Sequence, residues 1–258
     1  MTETDAIQLT IADGVAVIRL HRPQVLNALN PAALAELVAT LESVGADNAV
    51  RAVIITGGER AFCTGEDLRE ATRQSHQQFS AQIDQFQRVA DLLRGIRKPM
   101  IAAIAGPAIG GGLEIAVDCD LRIAAGNASF NCPELHWGLS VTNGASVLLR
   151  NLVGDGWARE LLMFGATLDA EQAHRIGLVT RVVPVAELQE RAMEIAIKAA
   201  RHDARATALT KELLNADPRG WTQVLAAETD AVVAGFETDS VQARLASFAE
   251  RRSPTASV

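Results

Sequence analysis

The residues best suited to chemistry in this chain are Gly110, Gly111 and Gly112 followed by Glu114, set in the stretch KPMIAAIAGPAIGGGLEIAVDCD from Lys98 to Asp120. The segment LEIAVDC reads as a short apolar helix, so backbone N–H groups at the glycines lie at a helix N-terminus, where they favour negative charge. Glu114 stands among aliphatic residues, and a charge in such surroundings is costly unless it is paired or its pKa shifts. A sequestered carboxylate beside free donors suits a general acid or base next to an anion hole, provided a second catalytic group arrives from elsewhere.

Plainer readings stand beside that one. A buried ion pair with Arg122 or another base explains Glu114 equally well, since structural networks also perturb carboxylates. The glycines can serve close packing at a turn, and GPAIGGG is neither GxGxxG nor GxxxxGK, so a nucleotide-phosphate reading is poor. Glu134, in Pro133-Glu134-Leu135, taken alone reads as a capping or solvated loop residue. Cys132 with His136 makes a weak nucleophile and base pair in a loop, and both read better as pocket lining or support. The apolar stripe around Leu161 and Leu162 reads as core or subunit interface.

A chain of 258 residues suffices for one large domain, or a main domain with a small C-terminal appendage, burying roughly 70 to 75% of its unfolded surface. The 24 basic and 31 acidic residues give a net charge of −7. They form no like-charge runs, which argues against nucleic-acid and membrane-surface partners and for small-molecule chemistry. Cys63, Cys119 and Cys132 are odd in number and lack CxxC spacing, which points away from disulfides and a metal site and towards a reducing, cytoplasmic location. The start, MTETDAIQLT, has neither a basic region nor an apolar signal core. The one membrane-like segment, Pro99 to Val117, is interrupted by Pro107, the glycines and Glu114 and reads as core.

The elements that must position these residues follow from periodicity. Ile7, Leu9 and Ile11 alternate, then Asp13-Gly14 leads to a second alternating run from Val15 to Leu20, a hairpin signature. Asn30-Pro31 reads as an N-cap and first helical position for a helix to about Ala46. RAVIITG, Arg51 to Gly57, is a continuous buried strand, and strand, helix, strand implies a parallel crossover. A polar, mobile stretch from Arg69 to Ser80 precedes a helix ending near Gly95. MIAAIAG is the next strand, LEIAVDC the helix carrying Glu114, and Leu121 to Ala124 and Ala128 to Phe130 are further strands. After the loop at Glu134, helices are expected at Thr142 to Leu152, Gly156 to Phe164 and Asp169 to Ile176, a strand at Leu178 to Val182, and helices from Val185 to about Arg252. No internal repeat stands out in the residues themselves.

Several ordered segments resemble the enoyl-CoA hydratase/isomerase, or crotonase, family along nearly the whole chain. AFCTGEDL is similar to that family's AFCAGADL-type loop, KPMIAAIAGPAIGGGLEIAVDCD to its glycine-rich core, and FNCPELHWGL to its FxxPExxxGL segment. NALN, ATLDAEQAHRIGLVTRVVP and SFAERRSP also have counterparts. The resemblance implies an α/β spiral of repeated ββα units over residues 1–190 carrying the active site. It also implies a helical trimerisation region over 191–258, a homotrimer or homohexamer, and an acyl-CoA substrate.

Residue by residue, the resemblance places the two catalytic glutamates on Glu114 and Glu134, and the oxyanion-hole donors on the backbone N–H groups of Glu66 and Gly111. Substrate contacts fall on Glu66, Asp67, Leu68, Arg69 and Gly111. The implied reaction is addition of water to a 2-enoyl-CoA, giving a 3-hydroxyacyl-CoA, with no metal and no cofactor beyond the coenzyme A that the substrate carries. Isomerisation, dehydration or thioester hydrolysis through the same enolate are the enzyme alternatives, and a catalytically silent acyl-CoA binder is the non-enzymatic one. Departures from the family pattern bear on substrate more than fold. Glu66 replaces a small residue, Asn131-Cys132 replaces Gly-Gln, GLSVTNGAS replaces GxxPGxGGT, and AERRSPTASV lacks the usual closing phenylalanine.

Overall fold

The computed structural model describes residues 6–216, 220–236 and 238–250; the helical end expected near Arg252, and the closing segment with it, lie outside them. β1 (Ile7–Ala12) and β2 (Val15–Leu20) form the antiparallel hairpin, turning through Asp13 and Gly14, both at positive φ. α1 (Pro31–Ala46) begins where the Asn30 side chain accepts from the Ala33 N–H, and it buries Leu34, Leu37, Leu41 and Val44 at helical spacing. β3 (Ala52–Thr56) is wholly buried and lies parallel to β2, as the crossover requires.

The polar stretch from Arg69 to Ser80 is largely helical. It contributes α2 (Leu68–Ala71) and the first turn of α3 (His76–Gly95), where Ser75 and Gln78 satisfy each other's backbone donors in a capping box. β4 (Met100–Ile104) leads into β5 (Pro107–Ile109), a strand the sequence pattern does not show because it is three residues long beside glycines. α4 (Gly111–Asp118) starts within the glycine triplet, β6 (Leu121–Ala125) and β7 (Ser129–Asn131) follow, and the segment expected as a loop closes into α5 (Glu134–Trp137). α6 (Ala145–Phe164) joins the two expected helices into one element broken at Gly154, whose φ of 78° and ψ of 164° are non-helical. β8 (Leu168–Asp169), α7 (Ala170–Arg175) and β9 (Arg181–Val183) complete the strands, β9 lying later than expected. Four helices end the described chain: α8 (Leu188–Ala200), α9 (Ala204–Asn215), α10 (Trp221–Phe236) and α11 (Asp239–Glu250).

A six-stranded sheet runs β1-β2-β3-β4-β6-β9, and a three-stranded sheet runs β5-β7-β8. The chain repeatedly passes from a strand of the large sheet to one of the small sheet and then to a helix: β4, β5, α4, then β6, β7, α5. This is the expected spiral of ββα units. Its main core lies between the sheets and α1, α3, α4 and α6, and the other face of the large sheet is covered by Leu188, Ala192 and Ala196 of α8. The boundary placed at residue 190 therefore falls inside a helix packed on the sheet. α10 packs on α3, where Phe79 and Phe236 stack. Among the described residues no helix is long and apolar enough to cross a membrane.

Candidate active site

Glu114 occupies the first turn of α4, 2% exposed. Gly112 lets that helix press against β5 and the preceding loop, since a Cβ there would collide with the Cys63 carbonyl. Among the described residues no base pairs with Glu114. Arg122 donates instead to the carbonyls of Leu178 and Cys119, so the ion-pair reading falls away. Thr142 supplies both hydrogen bonds that Glu114 accepts among the described residues, its N–H to Oε1 at 2.9 Å and its hydroxyl to Oε2 at 2.5 Å.

Glu134 is the first residue of α5. Its Oε1 lies where a Cβ on Gly110 would be only 2.7 Å away, and Gly110 holds φ 53° and ψ −129°, so both space and backbone conformation require glycine there. Its Oε2 is buried without a hydrogen-bond partner. Burial, and then the neighbouring charge of Glu114, push the Glu134 carboxyl up to about 8. Burial also raises Glu114, but the two Thr142 hydrogen bonds oppose that rise by stabilising the ionised form. Two buried carboxyls facing one cavity do not both ionise readily, and the hydrogen bonds from Thr142 favour charge on Glu114 over Glu134.

The two backbone donors come together through Gly65. A Cβ on Gly65 would lie 2.9 Å from the Ile109 carbonyl and 3.0 Å from the Gly111 nitrogen, so this loop packs directly on the start of α4. The Leu29 N–H donates to the Gly65 carbonyl at 2.7 Å and the Asp67 N–H to the Leu29 carbonyl at 3.0 Å. In that parallel bridge the N–H of Glu66 points to the other side. Glu66 and Gly111 thus line one cavity with Glu114 and Glu134, together with Leu68, Trp137, Thr142 and Val232.

Asp67 and Arg69 are not among the cavity's lining residues. Asp67 is buried in an ion pair with Arg22 at 3.1 Å, which anchors the loop, and Arg69 is exposed on α2. Cys132 and His136 form no nucleophilic pair, because burial pushes the Cys132 thiol well up and His136 is exposed outside the cavity. The Glu66 carboxyl is raised to about 8 by burial and by Asp67, and its Oε1 is buried without a partner. Residues the sequence reading missed are Thr142, Trp137 and Val232; the only available signal was the departure of GLSVTNGAS from the pattern it resembles. A larger cleft of about 670 Å³ between α1, the end of α3 and the α8–α9 turn shares no residue with this cavity. Its cations are occupied, Arg51 by the His202 carbonyl, Arg88 by Glu42 and Lys98 by the carbonyls of Val44 and Asp47.

Two buried carboxyls and the backbone around Glu66 and Gly111 thus line one cavity. The profile of the family described as "Enoyl-CoA hydratase/isomerase" matches residues 10–256, and the chain belongs to that family. It is 37% identical over 252 residues to a probable enoyl-CoA hydratase of Mycobacterium leprae, covering 95% of this chain and 96% of that one. It is 37% identical over 246 residues to the short-chain-enoyl-CoA hydratase of Clostridium acetobutylicum, covering 92% of each. The crystal structure of an enoyl-CoA hydratase/isomerase from Pseudoalteromonas atlantica superposes with a TM-score of 0.87 at 28% identity, covering 98% of this chain and all of that one.

Proposed function

We propose that the protein adds water across the C2=C3 bond of a 2-enoyl-CoA to give a 3-hydroxyacyl-CoA. The observation that carries this reading is the unequal setting of two carboxyls in one cavity: Glu114 accepts two hydrogen bonds from Thr142, while Glu134 Oε2 has no partner and its carboxyl is pushed up to about 8, which suits Glu114 as the base and Glu134 as the acid. Glu114 takes a proton from water as its oxygen bonds to C3, and Glu134 delivers its proton to C2. Each Glu114 oxygen keeps a second lone pair for that water. Charge developing on the thioester oxygen is met by the N–H groups of Glu66 and Gly111, each such donor being worth roughly 3 kcal/mol of transition-state stabilisation. The hydratase names of the relatives support the same reading. Coenzyme A arrives and leaves with the acyl group.

The cavity encloses only about 80 Å³, room for two or three waters at ~30 Å³ each. Loss of conjugated enoyl-thioester absorbance across a series of 2-enoyl-CoA substrates, with a product one water heavier, tests the reaction. Binding without that product overturns it in favour of an isomerase, a thioester hydrolase or a silent binder.

We also place the protein in the cytoplasm as a homotrimer or a dimer of trimers. Three buried free thiols fit a reducing compartment. Two exposed apolar groups on different elements, Trp157, Met163 and Phe164 on α6 and Leu209, Leu213 and Leu214 on α9, suit the head-to-tail contact that closes a ring. Leu213→Asp with Leu214→Asp is expected to lower the mass measured by light scattering from the oligomer towards the monomer; an unchanged mass removes α9 from the interface.

A further inference from the structure

Thr142 stands on a loop that α10 grips from the far side. Glu228 of α10 accepts from the Gly144 N–H at 2.6 Å and the Ser146 N–H at 3.0 Å. Gln87 of α3 accepts from the Asn143 N–H at 3.0 Å and passes its own amide N–H groups to the Leu225 carbonyl and the Thr229 hydroxyl of α10, at 3.1 and 3.0 Å. Trp221, the first residue of α10, covers Gly144 so closely that no Cβ would fit between them. Asn143 is fully buried at φ 57°, unusual for a non-glycine residue, and its side-chain amide makes no hydrogen bond, so its backbone is held by these neighbours.

From this geometry we infer that Thr142 is a positioning residue whose hydroxyl orients Glu114 and keeps it ionised, and that Glu228 and Gln87 make α10 the strut that holds Thr142 in place. The inference rests on Glu114 being the base of the proposed hydration. Among the described residues, the groups whose charges interact with Glu114 are acids: Glu134 from α5, Asp118 one turn along α4, Glu228 from α10 and the Cys132 thiol. Arg94 acts on Asp118. With no cation on Glu114, two donors from one residue are what favours its charged form. The main-chain donor is independent of residue type; the hydroxyl is not, and it replaces the glycine of the GxxPGxGGT pattern at this position. Because the loop is fixed from α10, the C-terminal helices reach the catalytic carboxylate without entering the reaction.

The test is to titrate the Glu114 carboxyl by carbon NMR, assigned with Glu114→Gln, alongside kcat and KM for a 2-enoyl-CoA. Thr142→Val, which keeps shape and the main-chain N–H, is expected to move the Glu114 midpoint upward and lower kcat roughly tenfold, with KM within about twofold. Thr142→Ser is expected to restore both. Glu228→Gln should lower kcat in the wild-type background and add little on top of Thr142→Val. An unmoved midpoint with unchanged kcat, equal damage from Val and Ser, or strictly additive effects of Thr142→Val and Glu228→Gln would each overturn the inference. If Thr142→Val does not fold, Thr142→Ala carries the same comparison. The titration needs no turnover, so a protein that hydrates no enoyl thioester yet shows the shifted midpoint would sink the proposed reaction, and with it Thr142's catalytic role, while an unmoved midpoint in an active hydratase would sink the inference alone.

Discussion

Glu114 and Glu134 face one cavity from two helices built in opposite ways. α4 is buried on nearly every side, starts in a glycine turn, and presents its carboxylate to two donors on a braced loop. α5 is a single turn with no buried residue as a whole, yet it delivers one carboxyl oxygen into a dry space without a partner. The difference teaches how a pair of like groups is made unlike. Burial penalises the charge of both, and only one is given side-chain and main-chain hydrogen bonds from a neighbouring residue to its charged form, which is why the proposed mechanism uses one as the base and the other as the acid.

The harshest way to break that asymmetry is to remove either carboxyl. Glu134→Gln and Glu114→Gln should each lower hydration by about 10² to 10⁴ with unchanged circular dichroism; near-normal turnover in either variant removes that residue from the mechanism. A gentler way is pH. Activity requires Glu134 protonated and Glu114 ionised, so kcat/KM should fall on the alkaline side as pH rises through about 8. It should fall again on the acid side as Glu114 gains a proton. A profile flat across the alkaline limb would contradict the assignment.

The smallest effect concerns Glu66. If only its backbone N–H serves, Glu66→Ala should change kcat/KM by less than about threefold, the span of an ordinary 0.5 kcal/mol substitution, whereas a loss as large as the glutamine variants show would put its carboxyl in the reaction. Its raised pKa also has a stability consequence. A carboxyl shifted from 4.5 to about 8 on folding contributes stability fully below 4.5 and loses it as pH rises through 8. Glu66→Gln should therefore raise the melting temperature at pH 8 and leave it nearly unchanged at pH 4.

Much of this was legible in the residues because local physics dominates there. Alternation gave the hairpin, Asn30-Pro31 marked the start of α1, and continuous apolar runs marked β3 and β4. What stayed hidden depends on contacts between distant segments. β5, β7 and β8 are two or three residues long and exist because the spiral brings them side by side, so the repeat shows in the backbone and not in the sequence pattern. The single turn of α5 is fixed by Gly110 giving room to Glu134 from another element. Glu114 and the glycine donors stood out from the residues themselves, whereas Glu134 and the N–H of Glu66 were found through resemblance. Thr142 and Glu228 were missed because their roles come from a loop and a helix 80 residues apart in rough terms, and no periodicity encodes that pairing.

The most direct test of the unequal pair is deuterium exchange at C2 of a saturated acyl-CoA in heavy water, a half-reaction that needs a proton carrier at C2 and no attack at C3. Wild type should exchange, Glu114→Gln should retain much of that exchange, and Glu134→Gln should lose it. Exchange that survives Glu134→Gln and disappears in Glu114→Gln would reverse the two roles and contradict the account.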